Sequence, residues 1–401
     1  MIHPFFKVII HKDENLPDLH GICAGFEGLK WRKEQLVDHL FEYLPEFALN
    51  YSEYIDLNGE NAIAKIRQVA ANIYKSKKFE SRGEFGELLL HAIIRETYNT
   101  IPAISKIYYK DGPNETVKGF DAVHVIDLGE TLELWLGEVK FYQNISSAMS
   151  SVIEELKQHI EVRYIKSEFI AITNKIDNKW SHSDKLKALL NPNTSLDDVF
   201  ENTCIPVLLT YDSKILAKYN KSCKEYIDEI TQELIEYHDK FCNDLGKFPV
   251  TVHLFLLPLN TKKELIECID IQELRRILRG KVIRQIDKYS ILKDIANLTA
   301  LNRTIGQEFI LRLLSRISDF KEFEEIIYSL VRQVGLFPYL NEDELSFRDT
   351  IAYEMHRPTG FKENIVFHHA QAEIYYALLQ KENIVLSAPT SFGKSLIIDS
   401  I

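Results

Sequence analysis

The stretch from Lys118 to Tyr142 constrains the fold of this chain more than any other segment. Its sequence, KGFDAVHVIDLGETLELWLGEVKFY, predicts two β-strands joined by a short turn at Gly129–Glu130. In a hairpin folded about that bond, Asp121 lies directly opposite Glu138, and such a pair has Cβ atoms about 5 Å apart. Lys140 follows Glu138 by two residues and therefore points to the same face of the second strand. Two carboxylates and an ammonium group are thus predicted to converge.

This triad has the chemistry that phosphodiester hydrolysis requires. Two carboxylates can hold Mg²⁺, which polarises the phosphate and lowers the pKa of a bound water. A nearby lysine orients that water or offsets the charge of the pentavalent transition state. The alternative is an ordinary hairpin with surface charges, because an Asp…Glu-x-Lys pattern is common. His124 falls on the opposite strand face from Asp121, which favours a structural role, whereas His91 lies on a preceding helix and within reach of the site.

Composition excludes several classes of protein. The chain has 401 residues, enough for two or three domains, and a net charge of -11, which argues against a surface coated for nucleic-acid binding. Its five cysteines form no CxxC pair, so neither a zinc ribbon nor a disulfide framework is expected. The N-terminus does not resemble a signal peptide, and no apolar run approaches the ~20 residues of a membrane span. We therefore expect a cytoplasmic protein without a membrane partner.

Hydrophobic periodicity predicts a mixed α/β domain around one central sheet up to about residue 265, and then a region of short helices to about residue 346. A helix capped by Ser81 is expected over residues 81–98, and Ser146 or Ser147 is expected to cap the helix after the hairpin. The other predicted helices are Lys30–Tyr43, Glu60–Lys75, Ser146–Val162, Ser222–Cys242 and Ala370–Gln380, and the other predicted strands are Phe5–Ile10, Ile104–Tyr109, Phe169–Thr173, Ile205–Tyr211, Thr251–Leu259 and Asn383–Ser387.

A second motif, APTSFGKS, occupies residues 388–395 after the predicted strand. A phosphate loop needs small residues whose backbone N–H groups face the phosphates, a lysine for the β- and γ-phosphates, and a hydroxyl for Mg²⁺. Ala388 stands where the general pattern has its first glycine, and in this the segment resembles superfamily 2 helicases. Gln371 matches the position of the adenine-reading glutamine of their Q motif. The nucleotide-binding residues implied are Gln371, Thr390, Gly393, Lys394 and Ser395.

Three segments resemble the PD-(D/E)xK nuclease superfamily in order and spacing. They are GEFGELLLH (83–91), KGFDAVHV (118–125) and LELWLGEVKFY (132–142), and over residues 1–265 they are most similar to HamA, the nuclease of Hachiman anti-phage defence. The resemblance implies a restriction-endonuclease-like core with a mixed central sheet flanked by helices. It further implies that Asp121 and Glu138 bind Mg²⁺ or Mn²⁺, and that Lys140 serves the attacking water. A glutamate of the preceding helix, Glu87 or else Glu84, would complete the metal shell. Phe120 stands where the family name has proline, at a position that varies widely.

The resemblance also implies how the rest of the chain is organised. Residues 266–356 resemble the helical N-terminus of a HamB-like superfamily 2 helicase, and residues 357–401 resemble an incomplete RecA-like lobe with only the Q motif and the Walker A loop. We therefore expect ATP to bind only if that lobe is completed. The expected function is a DNA endonuclease effector with little sequence specificity, partnered with DNA and a HamB-like helicase.

Two alternatives stay open for the first domain: a catalytically silent scaffold or DNA-binding module for the helicase, and an RNase. Two groups of basic residues fit contacts with the nucleic-acid backbone, without any sign of base readout. They are Lys75, Lys77, Lys78 and Arg82, and Arg275, Arg276, Arg279, Lys281 and Arg284.

Overall fold

The computed structural model describes residues 4–13, 17–58, 61, 65, 83–105, 119–279, 287–340, 345–359, 365–388 and 392–401. The chain divides into two compact units, Met1–Ile277 and Leu278–Ile401. Several predictions lie outside the described residues, so they stay predictions. They are the cap at Ser81, most of the helix Glu60–Lys75, part of the strand Ile104–Tyr109, the nucleotide-binding residue Thr390 and the basic residues Lys75, Lys77, Lys78, Arg82, Lys281 and Arg284.

A seven-stranded mixed sheet forms the centre of the first unit. The strands are β1 (Lys7–Lys12), β2 (Asp18–Cys23), β5 (Ile101–Pro102), β6 (Ala122–Asp127), β7 (Leu132–Phe141), β8 (Thr203–Asp212) and β9 (Thr251–Leu259), and a separate two-stranded sheet pairs β3 (Phe26–Glu27) with β4 (Lys30–Trp31). The large sheet has the order β1-β2-β9-β8-β7-β6-β5. Its central pairs are parallel and its outer pairs antiparallel. The predicted mixed α/β fold with one central sheet is therefore confirmed.

Helices cover both faces of this sheet. They are α1 (Lys33–Ala48), α2 (Tyr51–Ile55), α3 (Gly83–Tyr98), α4 (Ile145–His159), α5 (Val162–Lys175), α6 (Ser183–Leu189), α7 (Leu196–Glu201), α8 (Lys214–Lys218), α9 (Lys224–Leu245) and α10 (Lys262–Arg279). Buried side chains of α1, α3 and the start of α10 form a core on one face. Side chains of α4 and α9 form a second core on the other face, and those of α5 and α6 extend it toward β6.

Strand β7 contributes to both cores, because its side chains alternate between the faces. Val139 and Phe141 face α3, where Gly86 allows a close approach: a Cβ at Gly86 would lie 2.9 Å from the Phe141 Cβ and 3.2 Å from the Val139 Cγ2. A Cβ at Gly137 would likewise lie 2.7 Å from the Leu90 Cδ2. The even-numbered residues of β7, Glu138 and Lys140 among them, therefore point away from α3 and toward α4.

The second unit is helical in the part of the chain that the structure describes, as the sequence predicts. Its helices are α11 (Lys288–Leu301), α12 (Arg303–Leu314), α13 (Glu324–Gln333), α14 (Phe347–Glu354), α15 (His369–Leu379) and α16 (Lys394–Asp399), with 3₁₀ turns at Ile317–Phe323 and Phe337–Tyr339. The predicted strand Asn383–Ser387 is wrong, since this segment forms no regular secondary structure and Val385 is fully exposed. A strand needs a neighbour for its backbone hydrogen bonds, and none lies beside it among the described residues. No described helix of either unit is both long and apolar enough to cross a membrane.

Two local predictions in the first unit are also wrong. Phe169–Thr173 is part of α5 and not a strand, because Ile165, Phe169 and Ile172 repeat at helical spacing and are all buried. Helix α4 is capped by Asn144, whose Oδ1 accepts the Ser147 backbone N–H at 2.9 Å, and not by a serine. The strands at β8 and β9 agree with the predictions Ile205–Tyr211 and Thr251–Leu259.

Candidate active site

The hairpin has the register that its sequence predicts. Ala122 pairs with Gly137 in the antiparallel β6–β7 ladder, so Asp121 lies opposite Glu138. Asp121 stands just before β6 and is anchored by two backbone bonds: its N–H donates to the Gly137 carbonyl at 2.8 Å, and its Oδ2 accepts the Val139 N–H at 2.9 Å. The second bond fixes the carboxylate beside the start of the Glu138 side chain.

Glu138 is a buried carboxyl group next to a like charge. Its side chain is 2% exposed. Burial, and after it the charge of Asp121, raises the pKa of Glu138 from 4.5 to about 7, against the opposing influence of His159 and Lys140. The His159 Nδ1 is 2.8 Å from the Glu138 Oε1, but the two are poorly aligned. No described residue forms a well-directed hydrogen bond to that oxygen. A divalent cation would relieve both the repulsion and the unsatisfied oxygen, so the residues present fit such an ion.

Lys140 lies on the same face as Glu138 and is 9% exposed. Its ammonium group forms an ion pair with Glu155 of α4. Burial alone would lower the pKa of Lys140, but Glu155, Glu138 and Asp121 together raise it above its usual value. The lysine is therefore held in its charged form beside these three carboxylates.

Sequence reasoning missed both contributions of α4. Glu155 and His159 are four residues apart, so they lie on one face of the helix, above Lys140 and Glu138. The His159 ring stacks on Tyr164 with centroids 4.5 Å apart. The available signal was a helix with a buried apolar face, directly after the hairpin, that carries a glutamate and a histidine one turn apart.

Glu84 and Glu87 lie in the first turns of α3, and both are partly buried. Helix α3 covers the β7 face opposite Glu138, with Leu90 over Gly137 and Ala122. Glu87 lies about one turn earlier on the helix than Leu90, and Asp121 stands just before the start of β6. Glu84 lies a further turn away. The choice of Glu87 over Glu84 as the third metal ligand stays a prediction.

His91 and His124 belong to a buried cluster on the α1 and α3 side. The His91 Nδ1 is 3.1 Å from the His124 Nε2, and its Nε2 is 3.2 Å from Glu46. The His124 Nδ1 lies 2.8 Å from the Thr100 hydroxyl. Burial lowers the pKa of both histidines. The structural role predicted for His124 agrees with these contacts, and His91 shares that role.

A model of the HamA family matches residues 3–270, which is more than half of the chain. The chain belongs to the HamA family. The resemblance to HamA that the three sequence motifs carry is thereby confirmed, and the match includes every residue of the candidate site.

A second match covers the helical region. The model of the anti-bacteriophage protein B N-terminal domain matches residues 268–350 of this HamA-family chain. Anti-bacteriophage protein B of Escherichia coli (strain K12) is 41% identical over 99 residues, which are 24% of this chain and 13% of that protein. The chain therefore spans only a small part of that relative's length. Both matches fit a protein of anti-phage defence.

The described residues of the predicted nucleotide loop lie together in the second unit. The Gln371 amide donates to the Phe392 carbonyl at 2.7 Å, and the Lys394 ammonium donates to the Ala388 carbonyl at 2.6 Å. Gly393, directly before α16, has a left-handed backbone with φ of 80°, which glycine adopts without strain. Ser395 is exposed at the start of that helix.

Of the predicted basic groups, Arg275, Arg276 and Arg279 are described and lie on α10. The Arg276 guanidinium stacks on the Phe41 ring, with its Cζ 3.6 Å from the centroid. Arg276 therefore packs against α1 instead of extending into solvent, and Arg279 is exposed. DNA contact by this group stays a prediction.

Proposed function

We propose that the HamA-like unit is a metal-dependent DNA endonuclease, the effector of an anti-phage defence system that also employs a helicase. The observation that carries the proposal is the convergence of Asp121, Glu138 and Lys140 on one side of the β6–β7 hairpin, with the pKa of Glu138 raised to about 7. A scaffold has no need for two like charges, one of them buried, beside a lysine. The order of α3, the hairpin, α4 and β8 around the site supports the PD-(D/E)xK assignment.

Each residue has a definite role in this proposal. Asp121 and Glu138 hold Mg²⁺ or Mn²⁺, with Glu87 as a third ligand from α3. The bound ion supplies Lewis-acid polarisation of the phosphate and acidifies a coordinated water. Lys140 donates through its ammonium group to that water or to the phosphate, and Glu155 keeps the lysine charged and correctly directed. The His159 Nδ1 stands beside the Glu138 Oε1, where it steadies the carboxylate in its ionised form.

Cleavage assays with matched variants test this assignment. The purified chain is incubated with labelled double-stranded DNA, single-stranded DNA and RNA in Mg²⁺ or Mn²⁺, alone and with a full-length helicase. Glu138→Gln and Lys140→Met are each expected to lower cleavage at least ~100-fold, because the first removes a charged metal ligand and the second removes the cation at the reacting phosphate. Glu133→Gln is the control, since Glu133 lies on the same strand but bonds the Trp135 indole on the opposite face. Cleavage unchanged in the first two variants would refute the proposal.

The same assay separates the rival functions. An RNase cleaves the RNA substrate in preference to both DNAs, with the same dependence on Glu138. A silent scaffold cleaves nothing under any condition, yet binds DNA or the helicase equally well as wild type and as Glu138→Gln. The chain would then have retained the charge cluster without the reaction.

We further propose that the Gln371 and Lys394 contacts belong to a nucleotide site that functions only within a complete helicase lobe. Both side chains donate hydrogen bonds to backbone carbonyls of the loop itself. The Lys394 ammonium, which would contact the phosphates of a nucleotide, is therefore already engaged within the loop. Calorimetric titration of MgATP into the chain should therefore show no saturable binding. Tight binding by the chain alone, lost in Lys394→Ala, would contradict the requirement for a complete lobe.

A further inference from the structure

Three potential metal ligands meet on the edge of the sheet, on the face opposite Glu138. They are His11 of β1 and Asp18 and His20 of β2, and each offers a ligand atom within 4.8 Å of the other two. Strand β1 shifts its register between Val8 and Ile10, and beyond this irregularity His11 pairs with His20. Without the shift His11 would pair elsewhere on β2. The rings of His11 and His20 stack with their centroids 4.3 Å apart.

Asp18 gives independent support for a ligand at this position. It is 5% exposed, and among the described residues nothing hydrogen-bonds its Oδ1. Its other oxygen, Oδ2, lies 3.1 Å from the His20 Nε2 and 2.8 Å from the His253 Nδ1. The cluster thus contains a buried carboxyl group with one oxygen that no described residue satisfies, which is a costly arrangement unless something binds it.

A second layer of residues holds this carboxylate in place. The ring of His253 lies flat against Trp135, with an interplanar angle of 6° and centroids 5.0 Å apart. The Tyr98 hydroxyl at the end of α3 is 2.7 Å from the His20 Nε2 and 3.3 Å from the His253 Nδ1. Hydrogen-bonded partners of this kind orient the ligands of protein metal sites and raise their basicity.

We propose that His11, Asp18 and His20 bind a divalent transition metal of the zinc class. Two imidazoles and a carboxylate suit Zn²⁺ and its neighbours, whereas Mg²⁺ and Ca²⁺ prefer oxygen ligands. Ligand atoms bound to one Zn²⁺ lie ~3.3 Å apart, so the present separations close by up to ~1.5 Å on binding. The exposed side chain of His11 supplies that movement and gives the ion its entry path. The bound metal ties the edge strand β1 to β2 and leaves a fourth position for water.

Cobalt titration of the full chain tests the site. Co²⁺ in a tetrahedral nitrogen and oxygen environment has strong visible absorption, which is the readout. The protein carries the Glu138→Gln substitution, has no histidine tag and is kept in excess Mg²⁺. We expect saturation at one Co²⁺ per chain, competed by Zn²⁺. His11→Ala removes an exposed ligand and should weaken binding at least ~10-fold. His253→Phe keeps the ring packed on Trp135 but loses the contact with Asp18, and it should also weaken binding ~10-fold.

His182→Ala is the control for adventitious binding by a histidine, because His182 lies near Asp127, outside the cluster. It should bind Co²⁺ as tightly as the parent protein. Absence of saturable binding, or equal affinity in the parent protein and His11→Ala, would overturn the proposal. The cluster would then be a hydrogen-bonded histidine–aspartate network that stabilises the sheet without a metal.

Discussion

Ionisation of Glu138 should make the first unit less stable as the pH rises. The pKa of this carboxyl is about 7 in the folded chain against 4.5 as its ordinary value. The folded state therefore binds the Glu138 proton more tightly than the unfolded state does. The contribution of this proton to the free energy of unfolding is fully present below about pH 4.5 and is lost as the pH rises through about 7. At 1.36 kcal/mol per pH unit, the full loss is about 3 kcal/mol, of which about 2 kcal/mol falls between pH ~5.5 and ~8.5.

Tryptophan fluorescence is a suitable assay, because Trp31, Trp135 and Trp180 all lie in the first unit. Thermal unfolding is followed without divalent cations at pH ~5.5 and ~8.5 for wild type and Glu138→Gln, a neutral isostere of the protonated side chain. For a unit of this size 2 kcal/mol corresponds to about 4 to 8 °C. Between the two pH values, the Tm of wild type should fall by that much relative to the Tm of the variant.

Addition of Mg²⁺ makes the prediction sharper. The ion competes with the proton for the Glu138 carboxylate, so it should raise the Tm of wild type at pH ~8.5, have little effect at pH ~5.5, and leave Glu138→Gln unchanged at both. Parallel pH dependences of wild type and variant without metal would refute the raised pKa. Equal stabilisation of the variant by Mg²⁺ would place the ion elsewhere.

Two further predictions concern the elements that support the site. Replacing Glu155 with glutamine removes one of the charges that raise the pKa of Lys140, while the burial that lowers this pKa remains. The alkaline limb of the pH–rate profile for cleavage should therefore shift to lower pH. Glu154→Gln, at an exposed neighbouring position, should leave the profile unchanged. Gly86→Ala forces a Cβ into contact with β7 and should destabilise the first unit by ~1–3 kcal/mol. Gly83→Ala is the control: its added Cβ meets nothing within 4 Å, so the change should be neutral or slightly stabilising. Equal unfolding midpoints for the two variants would contradict the close packing of α3.

The arrangement of Asp121, Glu138 and Lys140 could be predicted from sequence because it depends only on the turn and the strand alternation within one hairpin. A turn at Gly129–Glu130 fixes the register of the hairpin, and period-2 alternation places Lys140 with Glu138. Glu155 and His159 could not be placed in the same way. Their position depends on how α4 packs across β7, which is a tertiary contact that periodicity alone does not specify.

Other errors have the same origin in long-range contacts. The apolar run Asn383–Ser387 has a strand's composition, but strand pairing depends on neighbours that the local sequence does not encode. The pairing of His11 with His20 depends on an irregularity in β1, and the approach of His253 depends on the parallel alignment of β2 with β9, more than 200 residues away in sequence. No spacing rule brings these three histidines together.

The two faces of the central sheet therefore present two different ligand sets. Asp121 and Glu138 offer oxygen ligands to one side of the hairpin, and His11 and His20 offer nitrogen ligands on the opposite face of the sheet. Hard cations such as Mg²⁺ select the first set and zinc-class ions the second. If both proposals hold, Mg²⁺ in excess leaves cobalt absorption at the histidine cluster intact, while Zn²⁺ at one equivalent abolishes that absorption and leaves Mg²⁺-dependent cleavage unchanged. Loss of cleavage at one equivalent of Zn²⁺ would mean that the ion enters the carboxylate site first, and the separation by ligand chemistry would fail.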